Sequence, residues 1–286
     1  MKRFIKIFLL SLAFSPVLRA QDSVTSLRED VEFLCDSTRL GRGCGGRGAQ
    51  DAAFYLVRRF KDLGLATRVQ SFPLQDGSGH NVIGEMRGNH GSNKWIAVCA
   101  YFDGLGEPGG KAYPCADSNA SGTAALLELA RTMKLSGLNI LFVGLDGHNA
   151  GLKGSEMLAL CRDYKISLFV NLDTIGSTLA PPVHGRKDYL IALGMTQTQR
   201  SALEKVNAAS PLHLYYDYYG SRPFTEMFYR RISDQKAFLG KGVPSVMFTS
   251  GITMNTNKLS DDAASLNYEM LARRVQLIRR WLSTQR

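Results

Sequence analysis

The chain has 286 residues, a formal charge of +10 at neutral pH, 44% hydrophobic and 21% charged residues, and five cysteines. It is long enough for one large core, and its cysteines are too few for a disulfide-held miniature fold. The basic residues are scattered, without the aromatic-interleaved stripe of a nucleic-acid surface, so no nucleic-acid partner is expected.

Lys2, Arg3 and Lys6 precede an apolar run, Ile7–Leu18, and Leu18-Arg19-Ala20 supplies cleavage-site residues. This reads as a secretory signal peptide over residues 1–20, ahead of a mature domain over 21–286. The run falls short of the about 20 apolar residues that span a bilayer, and no Cys follows the cleavage point, so no stable membrane anchor is expected after cleavage. Removing residues 1–20 takes four cations and no acid, and the charge falls from +10 to +6. The expectation is an exported protein, periplasmic or extracellular. Export permits disulfides, and Cys35–Cys44, across a short loop-like segment, is the expected pair.

Leu27, Val31 and Leu34 recur at helical spacing within Ser26–Leu34. Gly41–Gly48 holds five glycines in eight residues and reads as a flexible connector. Ala49–Leu63 then repeats apolar residues at helical period. Strands are predicted at Thr67–Phe72, Asn81–Met86, Trp95–Ala100, Asn139–Leu145, Ile166–Leu172, Tyr189–Leu193, Leu212–Tyr216 and Val243–Thr249. Helices are predicted at Thr123–Met133, Ser155–Leu160, Thr196–Ala208 and Tyr268–Thr284. The last carries Arg273, Arg274, Arg279 and Arg280, expected on its solvent face. Continuous apolar strands alternating with helices imply a single-domain α/β sandwich, with a mixed, mostly parallel twisted sheet between helices on both faces.

Ligands of such folds bind beyond the carboxyl ends of the strands. There the chain places Tyr101-Phe102-Asp103, Asp117-Ser118-Asn119-Ala120-Ser121-Gly122, Asp146-Gly147-His148-Asn149 with Gly151-Leu152-Lys153-Gly154-Ser155, and Asn171-Leu172-Asp173. With Ser233-Asp234, Gly242-Val243-Pro244 and Asn255-Thr256, these motifs in this order resemble the di-zinc exopeptidases typified by bacterial leucyl aminopeptidases and glutamate carboxypeptidase (metallopeptidase family twenty-eight), with glutaminyl cyclases as relatives.

The resemblance implies two zinc ions on five side chains, with a Glu activating a bridging water. Mapped by motif, the first ligand, a His, is Tyr101 here. The bridging Asp is Ser118, the general base is His148, the neighbouring Glu ligand is Asn149, and the last His is Asn255. Asp173 alone keeps its ligand type. Asp103, which would orient the first His, remains. A lone carboxylate among amides and hydroxyls is a weak set for Zn²⁺, so no cofactor is expected. The leading expectation is a degenerate peptidase homologue that binds peptides or a protein partner.

The alternative is an active metal-dependent hydrolase, aminopeptidase-like or glutaminyl-cyclase-like, with a site remodelled around His148, Asp173 and one zinc. Ser118 with His148 as a nucleophile and base lacks an oxyanion-hole motif. Cys115 is expected to be structural. Tyr215, Tyr216, Tyr218 and Tyr219 form either a strand end or a rim for a peptide.

Overall fold

A computed structural model describes residues 16–89, 91–134, 137–180 and 182–285. The expected signal peptide therefore lies outside the described residues except for 16–20, which open the first helix. Eight helices run α1 Pro16–Cys35, α2 Arg47–Asp62, α3 Ser121–Thr132, α4 Lys153–Leu160, α5 Gln197–Asn207, α6 Arg222–Arg231, α7 Gln235–Leu239 and α8 Tyr268–Leu282. The strands are β1 Ala66–Pro73, β2 Ser78–Met86, β3 Lys94–Tyr101, β4 Asn139–Leu145, β5 Lys165–Leu172, β6 Tyr189–Leu193, β7 His213–Tyr215 and β8 Ser245–Thr249.

They form one sheet in the order β1-β2-β4-β3-β5-β8-β6-β7. The central neighbours β4, β3, β5 and β8 are parallel, while β2 and β6 run against them. Every residue of β4 is buried, as a strand covered on both faces requires. On one face, Leu56, Phe142, Leu271 and Trp281 join α1, α2, α3, α5 and α8 into the main core. On the other, Trp95, Leu141, Phe169 and Phe238 pack with α4 and α7. Tyr189, Tyr218, Tyr229 and Met247 form a third cluster beneath α6.

Local chemistry fixes the helix ends. Thr196 and Gln199 close a reciprocal capping box on α5. The Asn267 side chain accepts the Met270 N–H at the start of α8. Among the described residues, no helix is long and apolar enough to cross a membrane.

Four expectations need correction. Gly41–Gly48 is not a loose connector. Arg42 within it is fully buried and donates to the carbonyls of Leu34, Phe102, Pro114 and Cys115, while Gly48 lies so close to the Arg39 carbonyl that a Cβ would sit 1.7 Å from it. Arg274 is also buried, because the register of α8 turns it inward onto the carbonyls of Tyr189, Ile175 and Ser177. Cys35 and Cys44 are not joined; all five cysteines are free, and Cys44 instead points at Asp146. In the tyrosine cluster, Tyr218 is core and Tyr219 is the exposed member at 41%.

Candidate functional site

The parallel strands β3, β4, β5 and β8 end on one edge of the sheet, and the residues that follow them converge there. Asn119 ties three of these segments together. Its amide donates to the Tyr101 carbonyl at 3.3 Å and the Leu172 carbonyl at 2.9 Å, and its oxygen accepts the N–H groups of Gly122 and Thr174. Gly122 is needed where α3 starts against β5, since a Cβ would lie 2.5 Å from the Leu172 carbonyl oxygen.

Tyr101 and His148 lie face to face, with ring centroids 3.6 Å apart and planes 13° from parallel. The His148 Nδ1 is 2.8 Å from the Asp234 Oδ2, and the imidazole side chain is only 16% exposed. Burial alone would lower the His148 pKa, but Asp234, then Asp173 and Asp103, outweigh it and raise the value to about 9. The imidazole is therefore cationic at neutral pH.

Asp173 is enclosed. Ser233 Oγ donates to its Oδ2 at 2.5 Å, Tyr101 hydrogen-bonds to it, and burial raises its pKa. Asn171 feeds the same chain by donating to Ser233 Oγ at 2.8 Å and to Gln235 Oε1. Asp103, with no His at 101 to orient, instead accepts the N–H groups of His148 at 3.0 Å and Asn149 at 2.9 Å, and the Asn149 side-chain amide at 3.1 Å. Burial, reinforced by Asp146, raises its pKa to about 6.

Ser118 donates to Asp261 at 2.9 Å. Asn255 does not join this group through any hydrogen bond the structure contains. It sits in a turn, where its N–H donates to Thr253 Oγ1 and its side-chain oxygen accepts from Ser260. Tyr101, His148, Asp173, Asp103 and Asn149 are thus brought together, Ser118 adjoins Asp261, and Asn255 stands in its own turn.

Sequence reasoning missed the roles of Asp234, Ser233 and Asp261 as partners of His148, Asp173 and Ser118. Ser233-Asp234 was visible as a motif, but nothing local in the sequence marks Asp261.

Cys44, Asp103 and Asp146 bring one potential donor atom each within 4.8 Å of one another. Their lone pairs are engaged: Asp146 accepts the N–H groups of His80 and Gly147, and the Cys44 thiol leans on it at 3.5 Å. Burial, then the neighbouring carboxylates of Asp103 and Asp146, push the Cys44 thiol well above its ordinary value. It is a neutral thiol, not a thiolate ligand.

Comparisons with known proteins agree with this geometry. The sequence profile of peptidase family M28 matches residues 81–282. A curated relative, leupeptin-inactivating enzyme 1 of Streptomyces exfoliatus, is 27% identical over 144 residues; the match takes in 48% of this chain and spans about a third (32%) of that protein. Among solved structures, an aminopeptidase from Aneurinibacillus sp. strain AM-1 superposes with a TM-score of 0.73 at 14% identity, covering 92% of this chain and 94% of that one. A zinc aminopeptidase from Bacillus subtilis gives 0.72 at 13%, covering 91% and 94%. The glutaminyl cyclase of Fimbriiglobus ruber gives 0.72 at 18%, covering 92% and 95%. At these identities the structural likeness shows the fold.

Proposed function

The chain belongs to peptidase family M28, and from that membership we propose that it is an exported member which has given up di-zinc hydrolysis and serves to bind a peptide or protein partner. The observation that carries this reading is the Tyr101–His148 stack over Asp173. Two dipositive ions a few Å apart need several anionic or neutral-imidazole donors. Here the strand ends offer a phenol, a hydroxyl, a cationic imidazole, an amide and one carboxylate. Each is already committed: Tyr101 to Asp173, Ser118 to Asp261, His148 to Asp234 and Asn149 to Asp103. These residues do not fit the zinc pair, and no hydrolytic step is derived through it.

The same occupancy weighs against a site remodelled on His148 and Asp173. An imidazole held protonated by Asp234 cannot take a proton as a general base near neutral pH. The sequence support for export is the cationic start and short apolar run over residues 1–20.

The test is elemental analysis of the purified mature protein together with turnover of amino-acid anilides. The expected result is less than stoichiometric zinc and no hydrolysis. One or more tightly held zinc ions per chain, or zinc-dependent turnover, would overturn the reading.

A further inference from the structure

His148 occupies an unusual electrostatic position. Its imidazole pairs with Asp234 at 2.8 Å, and Asp173 and Asp103 also act on it. Asp234 is only 1% exposed, and its second oxygen, Oδ1, has no hydrogen-bond donor. Asp173 and Asp103 are likewise buried, and His148 is the cation that both of them feel. Several buried carboxylates in one place are costly unless a positive charge lies among them. In a metal-holding relative that charge is supplied from solution, whereas here it is covalently part of the chain.

Tyr101 completes the arrangement. Its ring covers one face of the imidazole, shielding the ion pair from water and adding the attraction of a cation for an aromatic face. Its hydroxyl end hydrogen-bonds to Asp173. The two residues that replace a metal ligand and the general base are therefore in contact with each other and with the remaining acids.

We infer that the His148 imidazolium, clamped by Asp234 and covered by Tyr101, is a built-in counter-cation that does the electrostatic work of a bound metal for the Asp103, Asp173 and Asp234 carboxylates. The inference rests on the reading that this site holds no zinc pair. It gives His148 a positioning role: it keeps the strand-end loops together by charge, with no part in bond making.

A double-mutant cycle tests it. His148→Gln keeps a hydrogen-bonding side chain but removes the cation, and should lower the thermal midpoint by about 10 °C. Asp234→Asn in that background removes a carboxylate left without its counter-ion, so the double variant should melt above His148→Gln alone. Excess Zn²⁺ should raise the midpoint of His148→Gln by several degrees, because the freed carboxylates then have an external cation to bind. The wild-type midpoint should not respond.

Additive losses in the cycle, with no zinc response in His148→Gln, would overturn the inference and leave a plain hydrogen bond. Should His148→Gln fail to fold, the double variant decides: folded, it supports the counter-ion role; unfolded, it overturns it. Zinc retained by the wild-type protein would instead overturn the proposed function, which keeps the two failures distinct.

Discussion

Asp261 accepts the Ser118 hydroxyl at 2.9 Å and, with its other oxygen, the backbone N–H of Asp117 at 2.7 Å. A carboxylate thus already stands against the position where the resemblance places a bridging Asp. Ser118→Asp should set two carboxylates against each other in a buried setting. It should cost about 3 kcal/mol in chemical denaturation and bring no zinc. Only the combined Tyr101→His, Ser118→Asp, His148→Glu, Asn149→Glu and Asn255→His variant should hold stoichiometric zinc by elemental analysis. Full occupancy in Ser118→Asp alone would contradict this.

Wild-type stability should be indifferent to chelation. With its strand-end acids already engaged by Ser233, Tyr101, His148 and backbone N–H groups, the fold has nothing to gain from a metal. Melts in EDTA and in excess zinc should superimpose within about 2 °C. A midpoint drop in EDTA that zinc reverses would show a bound metal.

The pH dependence has a definite sign. Burial raises the Asp30 carboxyl from 3.8 to about 6, burial with Asp146 raises Asp103 to about 6, and burial with Asp261 raises Asp117 to about 7. Between about pH 4 and 7 the folded state therefore binds more protons than the unfolded state at these groups, and stability falls as pH rises. His148, raised from 6.5 to about 9, contributes stability that is complete below 6.5 and lost as pH rises through 9. The two windows act in the same direction. The thermal midpoint should be at least about 5 °C higher at pH 5 than at pH 9, measured at constant ionic strength. A rising or flat profile would refute it.

Gly122→Ala should be disproportionately damaging for so small a change. The added carbon meets the Leu172 carbonyl oxygen at 2.5 Å and the Asn119 side chain at 2.4 Å, so α3 must move away from β5. A loss of about 3 kcal/mol is expected in denaturant titration, against the gain that Gly to Ala gives in an open helix.

Arg42→Met preserves length and removes the donors for four buried carbonyls. Leaving buried acceptors unpaired costs about 1–3 kcal/mol each, so the variant should express as unfolded or aggregated protein. Arg42→Lys, lacking the planar fork, should rescue only part of the solubility.

All eight strands were legible in the sequence because they are apolar runs bounded by Gly, Pro or Asn, and their ends shifted by at most three residues. Helices α6 and α7 were not. Arg222–Arg231 alternates cations and aromatics without a clean apolar face, and Gln235–Leu239 is too short to display a period. Which residues stand at the strand ends was readable from motifs. What they bind was not: His148 meets Asp234 and Ser118 meets Asp261 only through the fold, across long stretches of chain. Arg42 and Arg274 were misplaced for a related reason. Sequence composition marks an arginine as solvent-facing, and only the surrounding carbonyls make its burial tolerable.

The sheet order also governs when this site comes into being. Ala97 lies beside Phe169, and Phe169 beside Ser245, so the central ladder is made of partners remote in the chain. Such pairings must close long loops before any contact rewards them, which makes folding slow. Asp173, Asp234 and Asp261 are held in register only after β8 has docked against β5. During synthesis, therefore, the carboxylate cluster and its imidazolium do not exist as a unit until the C-terminal part of the chain has left the ribosome. The nascent protein carries these acids apart and hydrated, and their mutual repulsion first appears in the closing steps of folding, when His148 is already in place to meet it.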